Sequence, residues 1–392
     1  MTADLQNQAY VSNAVLYMAM ELSNSKWRLA FGDGTRQRQV VIAAGDVASL
    51  REEIAKTKAK WGLSPDTPVV SCYEAGRDGF WLHRQLVALG IVNQVVDAAS
   101  IEVSRRARRA KTDRLDARAL LEKLIRYEQG ERGVWSVVRV PDVEAEDLRQ
   151  LHREREDLMT ERNRHRNRLS GKLVTQGIRL PIGKDFPARL NEVKLFDGSE
   201  LPAHLKAGLL REWERLQAVE AQLRAIKQEI DALIEDADRT QAVRSLMLLT
   251  GIGWVGAWVL VMELFGWREF TNRRQLASLA GLVPSPYASG NLARDQGISK
   301  AGNRRVRSLM IQLAWLWLRY QPESKHSRWF QERFGGGSKR QRRIGIVALA
   351  RRLLIDLWRF VNAGVVPEGA RLKVDVTHVP TQSARLPATH AG

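Results

Sequence analysis

Cysteine is almost absent from this chain: Cys72 stands alone among 392 residues. Its solitude excludes an intramolecular disulfide framework and any cysteine-based zinc site, and it fits a reducing, cytosolic setting. Long apolar runs are missing as well. The longest, residues 254–265, is interrupted by Glu263 and is too short to span a bilayer, so no membrane association is expected. Residues 1–13 are polar and carry no basic segment leading into an apolar one, so no secretory signal is expected. Negative charge is the scarcer sign: 44 acidic residues face 62 Lys and Arg, a net charge of +18 with a pI near 10.4. An excess of that size, spread along the chain rather than confined to a tail, points to nucleic acid as the partner. The acidic residues are still too numerous for a simple basic coat protein.

What is present begins, after a first segment (1–13) expected to be disordered, with an apolar run of strand length at 14–20 that ends in Glu21. Strand-like runs follow at 27–31 and 40–44, with Gly32-Asp33-Gly34 between them as a hairpin turn. A helical pattern covers 46–61, a short buried-type strand 69–73 ends in Glu74, a helix is expected over 78–89, and a further strand over 92–96. Strands alternating with helices predict an α/β sheet over 14–142, whose ligands gather at the carboxyl ends of the strands. Glu21 and Glu74 both stand at such ends.

The stretch that organises this half is Lys111-Thr112-Asp113-Arg114-Leu115-Asp116-Ala117. The apolar spacing that starts there (Leu115, Ala119, Leu120, Leu124) is helical. Asp113 and Asp116 are three apart and share one side of that helix. Two like charges held together call for a cation between them, which is how magnesium sites are built. Arg105, Arg106, Arg108, Arg109, Lys111, Arg114 and Arg118 crowd the same stretch, the surrounding expected where an anionic polymer meets a metal ion. A plain solvated helix, with Arg114 and Arg118 neutralising the two Asp, is the alternative.

Residues 143–236 change character. A segment dense in Arg, Glu and His (143–173) is followed by cleaner heptads, Leu209, Leu216, Leu223 and Ile230 with Val219, Ile226 and Leu233 between them. That 3-4 alternation is a coiled-coil seam. Two long antiparallel helices joined by a connector rich in Gly and Pro are expected. The Arg164–Arg168 run reads as a backbone-contacting or simply a solvated face.

From 237 to 363 a second, mainly helical region is expected. Gly251-Ile252-Gly253-Trp254-Val255-Gly256 matches the dinucleotide-binding glycine pattern, but it follows a helical run rather than a strand, so the match is rejected. A tight turn between two helices fits better, with Gly251 and Gly253 open to phosphate oxygens. Residues 281–305 read as an irregular loop between apolar helices. In it Ser289 precedes Gly290, and Arg294, Lys300, Arg304, Arg305 and Arg307 are placed to neutralise a phosphate. No His lies nearby in sequence to activate the hydroxyl. Ser299 reads as a phosphate contact or a helix cap for 300–310. A basic loop with Lys339 and Arg340 precedes a helix over 344–360, and the tail from 364 is rich in Pro, Thr and Ala and is expected to be disordered.

Taken together, Tyr73-Glu74-Ala75, the 111–117 heptapeptide, Thr250-Gly251-Ile252-Gly253, Gly281-Leu282-Val283-Pro284, Ser289-Gly290 and Ile298-Ser299-Lys300-Ala301-Gly302-Asn303 resemble the DEDD-type insertion-sequence transposases. That family includes the Piv-like DNA invertases and the bridge-RNA-guided serine recombinases, and the resemblance covers residues 14–362. It implies a RuvC-like (RNase H-like) nuclease domain, an antiparallel coiled-coil arm, and a mainly helical C-terminal transposase domain with a helix-hairpin-helix-like turn. By position, the family's four acids fall on Glu21, Glu74, Asp113 and Asp116, which would hold Mg2+ or Mn2+, and its serine nucleophile falls on Ser289. It also implies donor and target DNA, an element-encoded guide (bridge) RNA, a homo-oligomer (dimer or tetramer) and a cytoplasmic, nucleoid-associated protein. One position departs from the pattern: the first acid is usually Asp, and the extra methylene of Glu21 moves its carboxylate by about a bond length against a metal that demands octahedral geometry. Two other readings stand beside a recombinase: a RuvC-like nuclease acting by metal-dependent hydrolysis, and a nucleic-acid-binding protein without catalysis.

Overall fold

The computed structural model describes residues 14–76, 79–102, 113–236, 240–289 and 292–373, without the side chains of 99, 113–115, 286–289 and 292–296. The chain divides into two compact units, 1–140 and 141–392. Arg105, Arg106, Arg108, Arg109 and Lys111, the first segment 1–13 and residues 374–392 lie outside the described residues.

In the first unit, β1 (Leu16–Leu22), β2 (Lys26–Gly32) and β3 (Gln37–Ala43) form an antiparallel meander. After α1 (Val47–Trp61) come β4 (Val69–Glu74), α2 (Trp81–Ala88) and β5 (Val92–Val96), and β1, β4 and β5 run parallel. The sheet order is β3-β2-β1-β4-β5, the mixed α/β architecture that the strand–helix alternation predicted. Its central strands are apolar on both sides because both faces are covered. One face carries Leu16, Met18, Met20 and Tyr73 against Leu50 and Ile54 of α1 and Leu82 and Leu86 of α2. The other carries Ala19, Val70, Cys72 and Val96 against Ala117, Leu120, Leu121 and Leu124 of α3 (Asp113–Glu128). Burial pushes the Cys72 thiol pKa up, so this lone cysteine is a small core residue rather than a nucleophile.

The second unit opens with α4 (Val143–Val174), continues through the short α5 (Phe186–Glu192), and returns along α6 (Ala203–Glu235), which packs on α4. The heptad positions Leu209, Leu216, Val219, Ile226 and Ile230 are buried. At one end of the pair, Leu169, Leu173, Phe186, Leu190, Leu209 and Leu216 make a core of their own. At the other, Leu158, Val219, Ile226 and Ile230 join the main core of the unit. Between these clusters Glu212, with its side chain 5% exposed, accepts from His165 Nδ1 (2.8 Å), Arg215 (3.0 Å) and Arg168 (3.3 Å). Part of the Arg164–Arg168 run is therefore spent on a buried carboxylate inside the arm.

The main core is built by α7 (Gln241–Leu248), α8 (Trp254–Leu260) with a π-helical turn at Val261–Phe265, α9 (Arg273–Leu279), α10 (Arg304–Tyr320), α11 (Lys325–Phe330) and α12 (Lys339–Ala363). Three expectations are corrected here. Residues 284–298 are not an irregular loop but an antiparallel hairpin, β6 (Pro284–Ser289) and β7 (Leu292–Ile298), in which Ser289 pairs with Leu292. Two prolines and Gly297 hid these strands, and prolines belong on unpaired edges of just this kind. Lys339 and Arg340 are not in a loop: they form the first turn of α12, which Ser338 caps with Gln341 in a reciprocal capping box. The tail expected to be disordered from 364 is held as far as 373, where Thr250 N–H donates to Arg371 O (3.0 Å) and Lys373 N–H to Leu248 O (2.7 Å).

The hairpin leaves and rejoins the helices at a single clamp. Ser299 N–H donates to Val283 O (2.9 Å), Lys300 N–H to Gly281 O (3.2 Å) and Asn303 N–H to Leu279 O (2.6 Å). Gly281 (φ +65) and Gly302 (φ +86) make this closeness possible, since a Cβ would stand 1.9 Å from Ala301 O at the first and 2.1 Å from Leu279 O at the second. Gly302→Ala should therefore destabilise the second unit by at least about 3 kcal/mol, against about 1–2 kcal/mol for Gly177→Ala, whose glycine is also left-handed but meets nothing within 4 Å. Urea titrations of both variants, followed by circular dichroism, check the ranking; equal losses would mean that the clamp yields easily.

Candidate active site

The paired register of β1 and β4 sets Met20 beside Tyr73, which brings Glu21 and Glu74 level as the next residues on neighbouring parallel strands. Side chains alternate along a strand. Glu21 follows Tyr17 and Ala19, and Glu74 follows Val70 and Cys72, so both carboxylates belong to the face that α3 covers. Glu21 is half-buried and lies opposite Arg28 of β2, while Glu74, at the end of β4, is exposed. Asp116 is half-buried beside the fully buried Ala117, and Asp113 begins α3 with its side chain outside the described residues, as is that of Arg114. All four acids thus come from elements of one face of one sheet. Among the described residues, no three Asp, Glu, His or Cys side chains are gathered tightly enough to hold a metal ion.

In the second unit Ser289 is the last residue of β6, and Arg294, on β7, pairs with Tyr287. Neither side chain is described. Lys300, exposed, adopts a left-handed conformation (φ +57) at the hairpin's base. Such a backbone is uncommon outside glycine and costs about 1–2 kcal/mol. Asn303, not Ser299, caps α10, accepting from Val306 N–H (3.1 Å). Arg304 is exposed in the first turn of that helix, and Arg305 Nε is 2.6 Å from Glu156 of α4. Gly251 sits in the connection between α7 and α8 with a left-handed backbone (φ +92), and a Cβ there would come 3.1 Å from Tyr320, so the turn itself already accounts for a glycine. Gly253, the residue before α8, has open space around it.

Sequence reasoning took Glu263 only for a break in an apolar run. The structure makes it the anchor of the hairpin. On the π-helical turn, with its side chain 2% exposed, Glu263 accepts from His152 Nε2 (2.9 Å), Arg153 Nη2 (3.0 Å) and Asn303 Nδ2 (2.9 Å). Burial pushes its pKa up, but the His152 hydrogen bond and the Arg153 charge outweigh this and hold it at about 2. The signal that could have revealed it was there: a charged residue inside twelve otherwise apolar or small positions has to be paired.

Residues 243–328 match the family described as Transposase IS116/IS110/IS902, and residues 18–176 match the DEDD transposase family of IS110. The transposase y4rJ of Sinorhizobium fredii is 44% identical over 375 residues, 91% of this chain and 94% of that protein. The chain belongs to the IS110 family of DEDD transposases. Two relatives are named for the insertion elements they serve. The transposase of IS1328 from Yersinia enterocolitica is 26% identical over 81% of this chain and 91% of its own, and that of IS1111A from Coxiella burnetii 26% identical over 71% and 74%. Among the described residues of this transposase, no helix is long and apolar enough to cross a membrane.

The depressed pKa of Glu263 gives a pH signature. Its folded value of about 2 lies below the ordinary 4.5, so its contribution is complete above the unfolded pKa and is lost as pH falls toward about 2. Glu263→Gln should cost the second unit about 3 kcal/mol at pH 7. That gap should shrink steadily between pH 5 and pH 2.5 in urea titrations of the two proteins. A gap independent of pH would show that shape, not charge, makes Glu263 matter.

Proposed function

We propose that this transposase cuts and rejoins DNA strands through a serine nucleophile, Ser289, assisted by a divalent ion held by Glu21, Glu74, Asp113 and Asp116. Support for the acidic half lies in one observation: Glu21 and Glu74 stand level on adjacent parallel strands, on the face packed by the helix that carries Asp113 and Asp116. An all-carboxylate donor set suits a hard, oxygen-seeking ion such as Mg2+ or Mn2+. When bound, such an ion would supply Lewis-acid stabilisation of charge on the phosphate oxygens.

Ser289 ends a strand of a short hairpin whose base is held to the helices by three backbone hydrogen bonds. In the reaction the serine oxygen forms a bond to phosphorus as the bond to the departing sugar oxygen breaks with its electron pair. The proton lost by the hydroxyl balances the one gained by the leaving oxygen. The resulting phosphoserine keeps the energy of the broken bond, so a second sugar hydroxyl can reverse the step and rejoin strands without ATP. Arg294, two pairs from Ser289 along the hairpin, would neutralise the phosphate at the tip, and Lys300 and Arg304 at the hairpin base, together with Gly251, Gly253, Lys339 and Arg340, would contact nucleic acid elsewhere. The reading further includes donor and target DNA, a guide RNA from the element, a dimer or tetramer whose subunits combine serine and acidic sites, a coiled-coil geometry for α4 and α6, and residence on the nucleoid.

Ser289→Ala should bind DNA as the unaltered protein does, yet form no protein–DNA adduct that survives denaturation, whereas Ser285→Ala should retain it. Asp113→Ala and Asp116→Ala should abolish recombination in folded protein. Glu21→Asp should keep or raise activity and Glu21→Gln should remove it. Digestion of a trapped complex identifies the modified peptide; a nucleotide on any peptide lacking Ser289 defeats the assignment.

A further inference from the structure

Where α4 and α6 reach the start of α8, a groove of about 420 Å3 opens between them. Arg155 and Arg162 line it from α4, Arg224 and Lys227 from α6, and Trp254 closes its end. The Arg155 guanidinium lies 5.1 Å from the centre of the Trp254 ring and the Lys227 ammonium 5.2 Å from it. The one acid in the lining, Glu220, is paired with Arg166 at 3.5 Å, and Lys227 is paired with Asp231. Among the described residues, Arg155, Arg162 and Arg224 have no carboxylate partner, and Arg162 Nε is buried without a hydrogen-bond acceptor. Elsewhere in this unit the buried charges are matched with care, as at Glu212 and Glu263.

Like charges crowded into a groove raise the free energy of the unbound protein, and an anion that enters recovers it. The lowered pKa of Arg155, caused by burial and then by the Arg162 charge, reports this crowding. On α4, Arg155 and Arg162 are seven residues apart, about 10 Å along the axis. That spacing suits separate phosphates of a polymer better than a single small anion. A protein partner would want a deep apolar anchor site. Here the aromatic surface is already engaged by cations.

We propose that this groove seats the sugar–phosphate backbone of duplex DNA, with Arg155, Arg162 and Arg224 each neutralising a phosphate and Trp254 holding Arg155 and Lys227 in place. The site is built from other elements than the hairpin and the acidic sheet face. It rests on the reading of the protein as a DNA-acting transposase, and not on the chemistry by which strands are cut.

Binding of a fluorescein-labelled 20-base-pair duplex of arbitrary sequence to the full chain, followed by anisotropy from 50 to 300 mM KCl, tests it. Each lost phosphate contact should reduce the slope of log affinity against log salt by about 0.9. The triple variant Arg155→Gln, Arg162→Gln, Arg224→Gln should therefore lose about 2 to 3 from the slope and bind more than tenfold more weakly at 100 mM. Lys172→Gln, Arg179→Gln, Lys184→Gln removes the same charge from exposed positions outside the groove and should change the slope by less than 1. Arg224→Glu alone, at an exposed position where folding is not at stake, should weaken binding several-fold. Equal slopes in the two triple variants would overturn the proposal, as would loss of affinity for a 20-nucleotide RNA hairpin with duplex DNA binding intact. Because the readout is binding, a failed Ser289 adduct leaves this result standing, and a failed groove leaves the adduct assay standing.

Discussion

A carboxylate taken out of water must be met by donors, or it costs several kcal/mol. Glu263 meets that demand by drawing donors from two elements far apart in sequence: His152 and Arg153 from α4 and Asn303 from the start of α10. Much of the second unit's arrangement follows. Asn303 uses its amide nitrogen for Glu263 and its oxygen to cap α10, so the helix begins where the carboxylate lets it begin. The same residue's backbone N–H bonds to Leu279 O, which closes the foot of the hairpin. The π-helical turn that carries Glu263 is the kind of local irregularity that recurs where a side chain has to be aimed inward. A chain of short, specific contacts thus ties α4 to the hairpin that ends in Ser289.

In the first unit two carboxylates are set side by side on neighbouring strands. A parallel strand pair has no freedom to offset two residues that follow a matched pair, so Met20 beside Tyr73 leaves Glu21 and Glu74 level. The extra methylene of Glu21 enters at this point. The register is set by apolar residues buried on both faces, and it cannot slip to accommodate a longer side chain without turning Met20 and Tyr73 out of the core. Any adjustment must come from the side chain itself or from its surroundings, including Arg28 across the strand pair.

The α/β sheet was legible because its strands are short apolar runs that end in charge. Each run from 14 to 96 became a strand within a few residues of its expected bounds. The arm helices were legible for the same reason, through a period of seven. The hairpin was not. Pro284, Pro286 and Gly297 carry the local signature of a loop, and strand pairing between two such segments is decided by the clamp at their base, which depends on residues as distant as Leu279 and Asn303. The capping of α10 was misplaced on Ser299 because Ser and Asn are equally good caps, and only the pull of Glu263 on Asn303 selects between them. Glu263 showed in the sequence only as a charge inside an apolar run; which residue it pairs with, His152 111 positions away, leaves no local trace. What single-sequence reasoning missed were contacts between segments, and those contacts hold the candidate serine.

The positive excess of the chain takes on a structure when these pairings are removed from it. In the second unit the buried acids Glu212 and Glu263 are spoken for, the first by His165, Arg168 and Arg215 and the second by His152 and Arg153, and the half-buried Asp356 is paired with His326 and Arg359. Each binds more than one cationic or titratable partner, and the one acid that lines the α4–α6 groove, Glu220, is paired with Arg166. A fold that needed those arginines for its own stability would have supplied carboxylates, as it did three times elsewhere. Leaving them unmatched is tolerable in isolation, because water and salt screen the groove's open side. It becomes favourable when a polyanion replaces that solvent and its counterions are released. The surplus charge is then part of the binding free energy rather than a by-product of composition, and its position along the arm is set by which arginines of α4 and α6 line the groove without a carboxylate partner among the described residues.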